Sequence, residues 1–203
     1  MSQDLRPTLE EAIDLIIRSQ NDRGGWRYQP RPADADLSVT VCQMMALRAA
    51  RNAGCYVPVE TIDRAVDYVR RCQNTDGGFA YQITGGQSRW PLTAAAIVAL
   101  QNAGKYQGEE LERAYAFLQQ NRREVSTPTQ TNYFFYAHYY AIQAFWQLGG
   151  EPWRLWYQDL RDTLLRLQSP DGTWIDYVGR TYATAMACLI LSVPRSVLPI
   201  FQR

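Results

Sequence analysis

The sequence has little of what several classes of protein require. It has one histidine in 203 residues and a formal net charge of only +1, which suggests neither a nucleic-acid-binding protein nor an acidic tail. No stretch approaches the ~18 uninterrupted apolar residues of a membrane-spanning helix, and the N-terminus lacks the apolar core of a signal peptide. We therefore expect a cytoplasmic protein with a single domain over residues 1–203.

Cysteine is also scarce, and its spacing excludes a common use. The four cysteines form no C-x-x-C pair, and most of them lie within helical patterns. We expect small buried hydrophobic residues rather than disulfides or metal ligands at these positions. They are Cys42, Cys55, Cys72 and Cys188.

A recurring phrase organises the chain. It reads Gln20-Asn-Asp-Arg-Gly-Gly-Trp26, then Gln73-Asn-Thr-Asp-Gly-Gly-Phe79, then Gln168-Ser-Pro-Asp-Gly-Thr-Trp174. Each copy follows one amphipathic helical stretch and precedes another. A fixed phrase at a period of about 50 residues indicates repeated helix pairs. In one further repeat the phrase is degenerate, with Arg122 standing where Gln73 stands.

Apolar periodicity and helix-end signals predict eight helices in four hairpins. The capping box Thr8-Leu-Glu-Glu11 opens the first of them. The predicted spans are about 8–20, 37–52, 58–73, 91–103, 109–120, 132–148, 152–168 and 181–193. The odd-numbered helices carry charges on one face, whereas the even-numbered ones are apolar nearly all round and should be buried. This pattern predicts an all-α protein with inner and outer helix layers, an α/α toroid or an arc of one.

The phrase Gln-x-x-Asp-Gly-Gly-(Trp/Phe) resembles the repeat of the terpene cyclase and protein prenyltransferase superfamily, which includes squalene–hopene cyclase. The resemblance covers essentially the whole chain. It implies a central cavity for a hydrophobic isoprenoid. Complete toroids of this family have more than four hairpins, so we expect an open or tighter ring, a homodimer, an additional helical domain, or the C-terminal part of a longer toroid.

The motif residues themselves are interpreted as structural. Glycine permits the positive φ that ends an outer helix, and a glutamine there can bond the backbone groups that the helix leaves unpaired. The aromatic residue can pack across the joint between hairpins. The residues concerned are Gln20, Gln73, Gln168, Trp26, Phe79 and Trp174.

One acidic stretch is a candidate for catalysis. Squalene–hopene cyclases carry Asp-x-Asp-Asp followed by Thr-Ala at the start of an inner helix, and the matching stretch is Asp34-Ala-Asp36-Leu37-Ser38-Val-Thr40. The resemblance makes Asp36 the proton donor, with Asp34 beside it, while Leu37 replaces the last aspartate. The alternative is that these aspartates cap the helix, as aspartate commonly does.

The only histidine, His138, is the second candidate. Alignment of the inner helices by their Ala-Leu pairs places Thr40, Thr93, His138 and Thr184 at one equivalent position, which predicts a polar ring facing the lumen and able to bind a ligand. His138 lies in the most aromatic stretch of the chain. The alternative to a catalytic role is a hydrogen-bonded core residue.

Aromatic residues on or beside the inner helices are the candidate ligand-binding residues. In cyclases of this family such faces line the cavity and stabilise carbocations, although filling of the core is the alternative. They are Trp90, Tyr133, Tyr136, Tyr139, Tyr140, Phe145 and Tyr182. Protein prenyltransferase β-subunits bind zinc through Asp-x-Cys and a distant histidine, and no Asp-x-Cys occurs here, so we expect no metal and no cofactor.

Three functions remain open at this point. The first is an isoprenoid cyclase-like protein, a class II-type intramolecular transferase if it is active. The second is a non-catalytic scaffold that binds proteins or itself. The third is a carbohydrate-active toroid, which would need a facing carboxylate pair, for example with Asp171 or Asp176. The segment Pro199-Ile-Phe201 could also touch a membrane surface.

Overall fold

A computed structural model describes residues 5–128 and 133–195 of the chain. These residues form eight α-helices and two short 3-10 helices, with no β-strand among them. The α-helices are α1 (Arg6–Ser19), α2 (Leu37–Asn52), α3 (Val59–Arg71), α4 (Trp90–Asn102), α5 (Glu109–Gln120), α6 (Phe134–Leu148), α7 (Gly150–Leu167) and α8 (Arg180–Ser192). The all-α prediction is therefore confirmed.

The predicted helix boundaries agree closely with the structure, with one instructive error. Helices α2 and α5 have their predicted bounds. Helix α1 begins at Arg6 rather than at Thr8, and Leu5 caps it without a side-chain hydrogen bond. Pro7 lies in the first turn, where its fixed φ and missing N–H fit a helix start. Thr8 is consequently inside the helix, and the capping-box prediction is wrong.

The even-numbered helices form the inner layer. In α4 every residue from Trp90 to Gln101 is buried, which explains why that helix tolerates no charged residue. Helix α2 packs on α4, α4 on α6, and α6 on α8. Among the described helices, α2 and α8 do not pack side by side, so this part of the chain forms an arc. The odd-numbered helices lie outside, and in α1 only Ile13 is buried.

The repeated phrase forms the same turn three times. Gly24, Gly77 and Gly172 have φ values of +92°, +87° and +84°, a left-handed conformation that glycine adopts without a steric penalty. The glutamine that opens each copy donates from Nε2 to the carbonyl of that glycine, at 2.9–3.0 Å. These bonds support the structural interpretation of the three motif glutamines, which are Gln20, Gln73 and Gln168.

Two of the four cysteines are buried as expected and two are not. Cys55 and Cys72 lie in the interior, and burial raises the pKa of the Cys72 thiol to about 12. Cys42 and Cys188 are exposed on inner helices, because the arc leaves part of α2 and α8 uncovered. All four are free thiols.

Within the described residues, no helix combines the length and apolar character needed to cross a membrane. The segment Pro199-Ile-Phe201 lies outside the described residues.

Candidate functional site

A cavity of about 850 Å³ opens where the N-terminal ends of three inner helices meet. Ser38 belongs to α2, the run Arg89–Leu92 starts α4, and Tyr136 belongs to α6. Loop and 3-10 residues complete the wall. These further lining residues are Tyr28, Tyr81, Glu124, Val125 and Tyr133.

Only part of the predicted aromatic set lines this cavity. Trp90, Tyr133 and Tyr136 do, and the Trp90 indole is fixed by a 3.0 Å hydrogen bond to the Leu118 carbonyl. The other predicted tyrosines lie elsewhere. Tyr140 has its hydroxyl 3.8 Å from the Cys42 thiol, Tyr139 packs on the Tyr140 ring at 5.1 Å, and Tyr182 is half-buried on α8. Phe145 stacks on Trp156 at 4.3 Å and fills the core. None of these four residues is in the cavity wall described.

Two lining tyrosines were missed by the sequence reasoning. Tyr28 and Tyr81 each follow the aromatic residue of a motif by two positions, after Trp26 and Phe79. Their hydroxyls lie 3.0 Å apart and share a hydrogen bond across the first two repeats. A tyrosine recurring at the same offset from the motif was the signal that could have identified them.

The expected ring of threonines is present, but it faces away from the cavity. The hydroxyl of Thr40 accepts a hydrogen bond from the Trp26 backbone N–H at 3.1 Å, and Thr93 does the same for Phe79 at 2.9 Å. Thr184 repeats the contact with the Trp174 N–H at 3.1 Å. Each hydroxyl therefore fastens an inner helix to the motif of its own repeat.

On α2, α4 and α6 the residue two positions earlier lines the cavity. Ser38, Pro91 and Tyr136 all line the cavity, and each precedes a member of the predicted ring by two. Two residues turn an α-helix by about 200°, which is the opposite face. The alignment of the inner helices was right, and the prediction that Thr40, Thr93, His138 and Thr184 face the lumen is corrected. A ligand-binding role for them stays a prediction.

His138 occupies the ring position of the third repeat and is also enclosed. Its Nε2 donates to the Val125 carbonyl at 2.9 Å, and within the described residues Nδ1 has no hydrogen-bond partner. Aromatic rings surround it, at centroid distances of 4.5 Å for Phe134, 5.7 Å for Trp90 and 5.9 Å for Trp156. Burial lowers the pKa of His138 to about 4. The imidazole is thus neutral near pH 7, and its catalytic role stays a prediction.

Asp36 is fully buried at the start of α2 and caps that helix. Its Oδ1 accepts from the Val39 N–H at 2.9 Å, which satisfies one of the donors that a helix start leaves unpaired. Its Oδ2 has no hydrogen-bond partner among the described residues and lies 3.9 Å from Arg27 Nε. One oxygen therefore caps the helix, and the other lies toward Arg27.

Arg27 connects the two candidate aspartates. It pairs with Asp34, which also accepts from Gln82 Nε2 at 3.1 Å. The guanidinium and the first backbone N–H groups of α2 thus both lie beside the Asp36 carboxyl group.

Asp36 is coupled to the cavity through Tyr81. Burial, the hydrogen bond with Tyr28 and the negative charge of Asp36 together raise the pKa of Tyr81. The Tyr81 backbone carbonyl also accepts from the Leu37 N–H at 2.9 Å, directly after Asp36. The carboxylate thus lies behind a hydrogen-bonded tyrosine pair that forms part of the cavity wall.

The residues named for a carbohydrate-active site are not brought together at the cavity. Asp171 pairs with Arg180, and Asp176 accepts from the Val178 N–H at 2.9 Å, both near the turn of the motif that begins at Gln168. Glu124 is the one acidic residue in the described cavity wall. Among the described residues, no cluster of three or more histidine, cysteine, aspartate or glutamate side chains could hold a metal ion.

The fold and the cavity define an α/α toroid, and comparison with known proteins places the chain more narrowly. Residues 3–130 match the model of the prenyltransferase alpha-alpha toroid domain, and the chain belongs to that family. No curated protein matches the chain.

A solved structure supports the same fold. The chain is similar to a variant of the type II terpene cyclase MstE from Scytonema, in complex with the product merosterolic acid A. The TM-score is 0.61 and the identity 16%, over 95% of this chain and 60% of that one. At such an identity the likeness shows the fold alone, and the present chain spans about 60% of that structure's length.

Proposed function

We propose that this protein binds a hydrophobic isoprenoid in the cavity formed by the N-terminal ends of α2, α4 and α6. The observation that carries the proposal is the cavity itself. Its volume of about 850 Å³ falls in the ~300–1,000 Å³ range of small-molecule sites. A toroid that served only as a scaffold would have no need for such a space.

The wall suits a long apolar ligand. Pro91, Leu92 and Val125 offer aliphatic surface, and Trp90 and Tyr136 offer aromatic rings. Each Å² of apolar ligand surface removed from water contributes about 25 cal/mol, so a flexible hydrocarbon gains affinity along its length. The MstE structure holds a terpene cyclase product, which supports an isoprenoid ligand class for this cavity.

Turnover is a separate matter from binding. A class II-type cyclisation, such as that of squalene–hopene cyclase, would begin with proton transfer from Asp36 to a carbon–carbon double bond. Asp36 also caps α2 and contacts Arg27, so its carboxyl group has a structural role with or without turnover. The proposal is therefore that the protein binds the ligand, and cyclisation of the bound ligand is an additional hypothesis.

A cavity-filling variant tests the binding. Ser38 is a half-buried lining residue, and Ser38→Phe would place a ring inside the space. With squalene delivered in cyclodextrin and equilibrium dialysis as the measurement, we expect Ser38→Phe to raise Kd by about tenfold or more, since excluding a few methylenes costs ~0.8 kcal/mol each.

The matched control is Ala185→Phe, which adds the same side chain at an exposed position of α8 away from the cavity. We expect squalene affinity in this control to equal that of the unchanged protein. Equal affinities for both variants, or no squalene binding by the unchanged protein, would count against the proposed ligand class and site.

A further inference from the structure

The first two motifs each hold the outer helix of the following repeat in the same way. Gln20 Nε2 donates to the Thr61 carbonyl of α3 at 2.9 Å, and Gln73 Nε2 donates to the Glu110 carbonyl of α5 at 2.8 Å. The two acceptors lie at equivalent places in the first turns of these helices. A motif is therefore a socket for the next outer helix.

A second contact recurs with the first. Arg64 of α3 donates to the Asn21 carbonyl, and Arg113 of α5 donates to the Asn74 carbonyl at 2.7 Å. The helix also approaches the motif glycine closely. A Cβ at Gly24 or Gly77 would lie 2.2 or 2.5 Å from a backbone carbonyl oxygen of the docked helix.

The third interface joins an outer helix to the preceding repeat by a different contact. Arg122 stands at the glutamine position and pairs with Asp159 of α7 at 2.5 Å. Asp159 precedes Gln168 by as many residues as Arg64 precedes Gln73. In this interface an acidic residue at that place is accommodated by the arginine that replaces the motif glutamine.

The fourth motif is a socket without an occupant in the described part of the chain. Gln168 Nε2 donates to the Gly172 carbonyl at 2.9 Å, as in the other copies, but it makes no second hydrogen bond to a docked helix there. A Cβ added at Gly172 would have no atom within 4 Å. We call residues 168–174 the fourth-motif socket.

Helix α1 is the first outer helix of the described residues, and no motif within those residues docks against it. Aligning Gln20 with Gln73 matches each residue of α1 with one of α3. Side chains that α3 buries against the first motif are exposed at the matching positions of α1. Exposed are Thr8, Ala12 and Leu15, the last at 52%. Their counterparts Thr61, Ala65 and Tyr68 are 6%, 0% and 0% exposed.

One difference in α1 is an acidic residue. Glu11 stands where α3 has Arg64 and α7 has Asp159, so α1 lacks the arginine that bonds to the Asn21 and Asn74 carbonyls in the first two interfaces. The Gln168 amide has an N–H without a protein partner in the described residues, and it can donate to the Thr8 carbonyl of a second copy, as Gln20 donates to the Thr61 carbonyl. The glutamine contact of the internal interfaces can therefore be repeated between two copies.

The neighbouring inner helix is uncovered on the same side. Ala185 and Cys188 of α8 are exposed, whereas Ala94 and Ile97, at the equivalent positions of α4, are fully buried. In the interior of the arc each inner helix packs on the next. A hairpin docked at the fourth-motif socket would bring its inner helix against this uncovered part of α8.

We propose that two copies of this chain associate head to tail, with α1 of one copy docked in the fourth-motif socket of the other. The two surfaces differ, so the contact is heterologous: it closes a ring if the rotation permits and otherwise extends. This interaction is independent of the ligand proposed for the cavity, because neither surface contributes to the cavity wall.

The first test is sedimentation equilibrium over a range of concentrations. We expect the average mass of the unchanged protein to rise with concentration. Ala12→Arg should raise Kd at least about tenfold, because a guanidinium would occupy the place where Ala65 is fully buried in the internal interface. Asp14→Arg is the control, since its counterpart Asp67 stays exposed in α3, and it should associate as the unchanged protein does.

The second test is complementation. Gln168→Glu should also weaken association, because a carboxylate has no N–H to donate to the Thr8 carbonyl of the partner's α1. A mixture of Ala12→Arg and Gln168→Glu chains should form a one-to-one complex, since the first has an intact socket and the second an intact α1. Circular dichroism should show unchanged helix content in both, as both positions are exposed.

The proposal is overturned if the unchanged protein stays monomeric up to about 1 mM, the weakest affinity of interest. It is equally overturned if association survives Ala12→Arg, or if the two folded variants fail to complement each other.

Discussion

At the scale of single residues, buried polar groups define what the interior can do. Asp36 and His138 are each enclosed, and each has one polar atom bonded and one left without a partner in the described residues. Such groups usually have at least one partner, and both do. They differ in their surroundings: Asp36 has Arg27 beside it, whereas His138 lies among aromatic rings.

The role of Asp36 can be separated from its capping of α2. Asparagine is as good an N-cap as aspartate, so Asp36→Asn should keep the helix start and change unfolding free energy by only about 1 kcal/mol. An asparagine cannot donate a proton to an alkene, however. If the protein cyclises squalene, we expect Asp36→Asn to lower the rate at least about 100-fold.

Product analysis by gas chromatography measures this effect. Asp34→Asn is the control, because Asp34 is half-exposed and pairs with Arg27 without capping a helix. Full turnover by a folded Asp36→Asn protein would show that another group is the acid.

His138 gives the fold a predictable response to acid. Its pKa is about 4 in the folded protein, against an ordinary value of 6.5. The unfolded chain therefore binds a proton more readily, and stability falls as pH drops from about 6.5 toward 4. The difference amounts to roughly 3 kcal/mol.

Urea unfolding at about pH 7 and about pH 4.5 measures this loss. His138→Gln keeps an N–H for the Val125 carbonyl but does not titrate. The unfolding free energy of this variant should therefore fall less between the two pH values. The other titrating groups are common to both proteins, and an equal fall would show that His138 carries no such linkage.

At the scale of elements, the repeated turns offer a comparison within one molecule. Gly77 and Gly172 have nearly equal φ values of +87° and +84°, so alanine brings a similar backbone strain at each. Only at Gly77 does a docked helix lie against the turn, with the Arg113 carbonyl oxygen 2.5 Å from an added Cβ. The difference between the two alanine variants therefore isolates the helix–turn contact.

We expect Gly77→Ala to lower the unfolding free energy by about 1–3 kcal/mol more than Gly172→Ala, the usual cost of overpacking. Urea denaturation of the two variants at one pH is the measurement. Equal losses would indicate that the close approach at Gly77 is relieved by a small shift of α5.

At the scale of the whole molecule, the layers were predictable and the cavity was not. A helix apolar on all sides, such as Ala94–Leu100, has to be buried whichever face it turns. The same property hides which face meets the lumen, since no polar stripe marks it. Thr93 was accordingly assigned to the lumen, whereas Trp90, Pro91 and Leu92 line the cavity on α4 and the Thr93 hydroxyl bonds to the motif.

The division of the cavity wall among the repeats has a consequence for how this molecule can change. Tyr28 and Ser38 come from the first hairpin, Tyr81 to Leu92 from the second, and Glu124 to Tyr136 from the third. The fourth hairpin contributes no residue to the wall described. Sequence changes in α7 and α8 would therefore affect the proposed association of two copies and leave the cavity wall intact, so the two proposed properties could evolve separately.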